Sequence, residues 1–216
     1  MNKILLIISI ILFAFTATSN AQIRKGATLL GGNIGGYSDK QSDPKPDTTV
    51  NKQNGISAAL LYGKAIRENL VLGVSGYWAK NRMQYQNRDY RFRDNRWGAG
   101  IFIRKYKQLG ASAFSLFANA ALSGDIVRTN YIELTDERKI KGWTASLSAY
   151  PGISYAVSKK FQLEAGMNDF LYLGYSVSKE RLAAPGSIER KTTDLVFNSS
   201  IDNLSNFYFG FRVLLN

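Results

Sequence analysis

The feature that most constrains this chain is an alternation of period two that runs through nearly all of it after residue 25. Leu72, Val74 and Trp78 share one phase, with Gly73, Ser75 and Tyr77 in the other. Trp97, Ile101 and Ile103 alternate with Gly98, Gly100, Phe102 and Arg104. The same holds for Phe114, Leu116 and Leu122 against Ser115, Asn119 and Ser123, and for Trp143, Leu147 and Ile153 against Thr144, Ser146 and Ser154. It holds again for Phe161, Leu163 and Met167, and for Phe207, Phe209, Phe211, Val213 and Leu215. A period of two sends successive side chains to opposite faces of a strand. No segment carries the 3.6-residue period of an amphipathic helix, so the chain reads as all-β.

Eight strands are predicted, near 26–38, 53–65, 70–85, 96–106, 112–127, 142–157, 161–176 and 194–215. The connections alternate in length. Ile66–Asn69, Lys107–Ala111 and Ser158–Lys160 are short. Those containing residues 42–47, Asn87–Asn95, Asn130–Lys141 and Lys179–Thr193 are long. Long loops on one side and tight turns on the other mark an up-and-down barrel, with both termini on the tight-turn side.

Residues 1–21 stand apart. Lys3 precedes the apolar run Ile4–Phe15, and Ser19-Asn20-Ala21 supplies small residues for cleavage before Gln22. The run is shorter than the roughly 20 residues that a helix needs to cross a bilayer. The segment is expected to be a removed secretory signal peptide, with residues 22–216 forming one barrel domain.

Composition excludes much chemistry. The 216 residues contain no Cys and no His. That removes disulfides, thiolate ligands, Cys nucleophiles and Ser–His catalysis. No metal- or cofactor-binding motif is present, and no enzymatic role is expected. The mean hydropathy of −0.18 resembles that of a soluble protein. Alternation produces that value by averaging two unlike faces.

Which face points outward decides the class. Eight strands enclose little more than a layer of side chains. The large apolar set is too bulky for that interior, so it is placed outside against lipid. The chain is therefore read as an eight-stranded antiparallel up-and-down transmembrane β-barrel, exported to the outer membrane. Trp78, Trp97 and Trp143 share the outward phase at the long-loop end, as an aromatic girdle would. Phe114, Tyr155 and Phe161 are expected to form the opposite girdle. A soluble periplasmic barrel holding an apolar ligand, or a narrow pore, are the alternatives.

Several stretches resemble the bacterial outer-membrane protein β-barrel domain family, the small barrels of the OmpA/OmpX form. They are Tyr62-Gly63-Lys64 through Asn69–Gly73, Phe102-Ile103-Arg104-Lys105-Tyr106, Phe114-Ser115-Leu116-Phe117, Pro151–Tyr155, Phe161–Glu164 and Phe209-Gly210-Phe211-Arg212. The order of these stretches, across nearly the whole chain after residue 21, carries the resemblance. It implies an eight-stranded barrel in the outer membrane, met by periplasmic chaperones and the barrel-assembly machinery during biogenesis, and it brings no active site. The chain departs from the family in ending Leu214-Leu215-Asn216, where such barrels usually end on an aromatic residue.

The inward phase contains Asn33, Arg104, Asn119, Asp125, Gln162, Glu164, Asn168 and Arg212. Isolated charges in a narrow interior are costly, so these are expected to pair and plug the lumen. A second cluster, Lys80, Arg82, Arg88, Arg91, Arg93 and Arg96, is interleaved with aromatics. In an exported chain this favours the phosphates of lipopolysaccharide over nucleic acid. The structural or surface-interaction role is assigned to the four long loops, whose extracellular partner the sequence does not name.

Overall fold

The computed structural model describes residues 23–41, 51–85, 90–133, 136–167, 170–182, 189–199 and 207–215. The signal-peptide residues, Asn168, Arg88 and the segment 42–47 lie outside the described residues. Ten strands follow one another: β1 (Thr28–Gln41), β2 (Asn51–Arg67), β3 (Leu70–Tyr85), β4 (Tyr90–Gln108), β5 (Phe114–Glu133), β6 (Asp136–Ala156), β7 (Phe161–Met167), β8 (Leu171–Leu182), β9 (Arg190–Ser199) and β10 (Phe207–Leu215). All pairings are antiparallel.

The ten strands make eight staves. Staves one to six are β1 to β6, each hydrogen-bonded to the next. The seventh comprises β7 and β8, and the eighth β9 and β10. Gly152–Ala156 of β6 pairs with β7, whereas Arg138–Ala149 pairs with β8. Likewise β9 pairs with β8 and β10 with β7. The ring closes where Thr28–Ile34 of β1 meets β10, so Thr28 lies opposite Leu215 and the first and last described strands start and end at one rim.

Strands β1 to β6 run 14–21 residues. A tilted strand needs only about 9–11 residues to cross a bilayer. The surplus extends the strands past the apolar belt at the end away from the termini. Much of three of the four long connections therefore becomes strand; in the last of them Lys179 and Glu180 of β8 pair with Lys191 and Arg190 of β9. Tyr90–Asn95 pairs with β3, and Asn130–Glu133 pairs with β6 as far as Asp136. Polar side chains occupy both faces there, which erases the hydrophobic phase without preventing hydrogen bonding between strands. Aromatic contacts hold this upper wall: Phe92 lies 5.0 Å from Tyr131, and Tyr90 lies 6.4 Å from it.

The two phases separate as the alternation requires. Ile34, Leu60, Leu122, Leu147, Leu173 and Phe209 all point outward and are exposed. This outward set surrounds the ring, as lipid-facing side chains do. Inside, the end near the termini is filled by Leu29, Leu61, Val71, Phe117, Tyr208 and Leu214. Chain entry seals this end further. Ile23 is buried beneath the ring. Its N–H donates to the Asn69 side-chain oxygen at 3.0 Å, and the Asn69 N–H donates back to the Ile23 carbonyl at 2.9 Å. Asn69 adopts a left-handed backbone (φ 57°), a conformation that Asn tolerates at tight turns.

Candidate functional site

The inward phase assembles two unlike regions. The lower one centres on Glu164 of β7, between Arg104 of β4 and Arg212 of β10. All three side chains are fully shielded. Glu164 Oε2 lies 2.8 Å from Arg104 Nη1 and 2.7 Å from Arg212 Nη2, while Oε1 accepts the Tyr106 hydroxyl at 2.8 Å. Arg104 Nε donates to Asn119 Oδ1 at 2.9 Å, and its Nη2 donates to the Tyr150 hydroxyl at 3.3 Å. Its guanidinium stands 4.5 Å over the Phe117 ring. Arg212 Nη1 donates to the carbonyls of Gly32 and Phe211 at 3.1 and 2.7 Å.

Sequence explains why these long side chains fit. A Cβ at Gly31 would collide with Arg212 Cδ, and one at Gly152 would collide with the Phe117 ring. Small residues opposite large ones let the interior close without a void. Two guanidinium groups and one carboxylate leave an excess positive charge. Aromatic faces and backbone carbonyls around it supply the compensation that a buried cation requires.

The upper region is different. A cavity of about 390 Å³ lies above the arginines, lined among others by Asn33, Ser75, Tyr77, Ser146, Tyr150 and Tyr172. Ser123 and Ser146 hydroxyls lie 2.9 Å apart across β5 and β6. Asp125 Oδ2 sits 3.4 Å from Arg96 Nε. Nearer the hairpin end, the Thr129 hydroxyl donates to Asp94 Oδ1 at 2.7 Å. Leu61, Phe102 and several alanines line this cavity alongside the hydroxyls, amides and charges.

The predicted network thus divides. Arg104, Asn119, Glu164 and Arg212 come together. Asn33 and Asp125 line the cavity, and Gln162 instead accepts from Ser154 Oγ at 3.2 Å. Tyr106 and Tyr150, which complete the lower cluster, escape a reading that looks for charges and amides alone. Their inward phase was the available signal. Arg96 corrects an expectation. It points inward to Asp125 and not outward to lipid, because it shares the phase of Gly98, Gly100 and Arg104.

Outside, Trp97 and Trp143 are half exposed, and Trp78 lies directly opposite Trp97. Phe114 packs 4.9 Å from Tyr155, and Phe161 stacks 6.3 Å from Phe211. Lys80, Arg82, Arg91 and Arg93 share the outward phase beyond the tryptophans. They lie on the paired strands β3 and β4 and not in a loop, since Arg82 faces Arg93 and Gln84 faces Arg91.

A ring of antiparallel staves, closed at its lower half where β1 meets β10 and with β9 paired only to β8 among the described residues, apolar outside and polar or packed inside, is the fold of a small outer-membrane β-barrel. The comparison with solved structures gives the same fold. Outer membrane protein OprG from Pseudomonas aeruginosa aligns at a TM-score of 0.50 with 11% identity, over 89% of this chain and 97% of that one. Neisserial surface protein A aligns at 0.45 with 16% identity, over 88% and 99%. A major outer membrane protein from Thermus thermophilus aligns at 0.48 with 8% identity, over 88% and 99%. No family model and no curated protein matches the chain.

Proposed function

We propose that this chain is an integral outer-membrane barrel that conducts no ions and serves as a scaffold for interactions at its hairpin end. The observation that carries the reading is the shielded Arg104–Glu164–Arg212 cluster with the apolar packing beneath it. Sterically it leaves an ion no hydrated path toward the rim where the termini lie. Electrostatically its excess positive charge repels cations, at a short range where little water screens it. The inward acids Glu164 and Asp125 are each engaged by arginine, Glu164 with Arg104 and Arg212, Asp125 with Arg96. With no His in the chain, this favours a non-enzymatic role.

The termini-side rim is then periplasmic, and the tall β3–β6 wall faces the cell exterior. Trp78, Trp97 and Trp143 would mark the outer headgroup zone, with Phe114, Tyr155 and Phe161 at the inner one. Cell fractionation and gel migration test the placement. The full chain should stay in the membrane fraction after osmotic shock. Unboiled in detergent it should migrate as a compact species, since a closed barrel resists detergent until heated. Release in soluble form by osmotic shock would refute the membrane placement.

A further inference from the structure

Strand register aligns a row of cations that is scattered in the sequence. On the outward face Arg128 of β5 lies opposite Lys141 of β6, Lys141 opposite Lys179 of β8, and Lys179 opposite Lys191 of β9. On each strand the cation sits two residues beyond the last outward residue of the belt: Ile126, Trp143, Val177 and Thr193. All four cations are exposed. Like charges directly opposed on neighbouring strands destabilise a sheet. Glu189 offsets part of this, 2.7 Å from Lys179. Lys141 and Lys191 have no acidic partner among the described residues, and Arg128 leans 5.9 Å over the Trp97 ring.

Directly below Arg128 and Lys141 runs an outward groove of about 500 Å³. Trp97, Ile126 and Trp143 flank it, and Ala99, Gly124 and Ala145 form its floor. An apolar trough opening onto an unbalanced cationic row matches one chemistry, an acylated lipid with a phosphorylated headgroup. Three interstrand spacings of about 4.8 Å give the row a length near 14 Å, more than a single phosphate can bridge.

We propose that this face binds an outer-leaflet glycolipid carrying at least two phosphates, with the phosphates on Arg128, Lys141, Lys179 and Lys191 and an acyl chain in the Trp97–Trp143 groove. The inference rests on the membrane placement proposed above. It assigns the contact to the wall of β5, β6, β8 and β9, beyond the β3–β4 arginines that the sequence alone singles out.

Native mass spectrometry of the full chain refolded in neutral detergent tests it, with diphosphoryl lipid A, monophosphoryl lipid A and phosphatidylcholine as probes. The barrel should retain diphosphoryl lipid A most strongly and phosphatidylcholine least, and added salt should weaken retention. Replacing all four cations by glutamine (R128Q, K141Q, K179Q, K191Q) should cut lipid A retention about tenfold or more, since each cation near an anionic headgroup contributes a few-fold. Gly124→Leu should fill the groove and also reduce retention. Its added Cβ meets only the Thr144 carbonyl, at 3.9 Å, so the barrel should fold as before. Heat-modifiable migration of each variant reports that fold. A compact barrel that holds all three lipids equally, or whose variants bind lipid A like the parent, would overturn the inference alone. A lipid-free dimer, lost in the glutamine variant, would assign the face to a second copy and overturn it as well. A chain that gives no compact species would remove the membrane placement and this inference together.

Discussion

The lower and upper halves of the interior use the same inward phase in opposite ways. Below, Arg104, Glu164 and Arg212 are fully shielded, and each charge is held by several partners. Above, Asp125 is buried but its partner Arg96 has a side chain 40% exposed, beside a cavity lined with hydroxyls. Charges of one type thus serve as structural closure where water is excluded, and as polar lining where it enters. Burial of the partner, and not the presence of the charge, separates the two.

The largest expected effect follows from that contrast. Glu164→Gln leaves two buried guanidinium groups without a carboxylate, and breaking a buried pair costs about 3–5 kcal/mol. Asp125→Asn, facing a partly exposed arginine, should cost about 1 kcal/mol or less. Urea unfolding of barrels reconstituted in lipid measures both; equal losses would erase the distinction between the halves. Next comes the outer face. Leu147→Arg places a charge against lipid and should cost about 2–4 kcal/mol. Ser146→Arg, one residue away and facing the upper cavity, should be milder, and the reverse order of refolding yields would invert the assigned facing.

A smaller effect tests how the periplasmic end is closed. Asn69→Ala removes the side-chain acceptor for Ile23 and places Ala in a left-handed backbone, a loss of about 1–2 kcal/mol. It should show as faster amide exchange confined to the Ile23–Ala27 entry; unchanged exchange there would mean the clasp contributes nothing. The smallest effect lies on the exterior. The Lys179 ammonium holds the Glu189 carboxyl below the usual carboxylate range through a hydrogen bond. Glu189→Gln should leave unfolding unchanged and modestly raise lipid A retention by freeing Lys179. A drop in retention would show that Lys179 does not face the phosphates.

Much of this architecture is legible in the alternation alone. The runs from Leu70, Phe114 and Trp143 carry enough apolar residues in one phase to fix which side faces out. Arg104, Glu164 and Arg212 follow from the opposite phase. The division of the seventh and eighth staves into β7 with β8 and β9 with β10 does not, because 161–176 and 194–215 each read as one extended segment. The upper hairpins were hidden for a related reason. Tyr90–Asn95 and Asn130–Glu133 carry polar residues in both phases, with Phe92 and Ile132 on opposite ones, so pairing there leaves no clean hydrophobic period to read. Arg128, Lys141, Lys179 and Lys191 meet only through register, which local pattern does not reveal. The packed floor was partly legible: Val71, Phe102, Phe117 and Tyr208 sit in the inward phase beside the charges and amides.

Single-channel recording in planar bilayers tests the central claim most directly. A sample shown to be folded by its heat-modifiable migration should give no stepwise conductance above background, because the Arg104–Glu164–Arg212 cluster and the packing below it close the lower interior. Sustained, reproducible conductance steps from that sample would contradict the closed interior on which the proposed function stands.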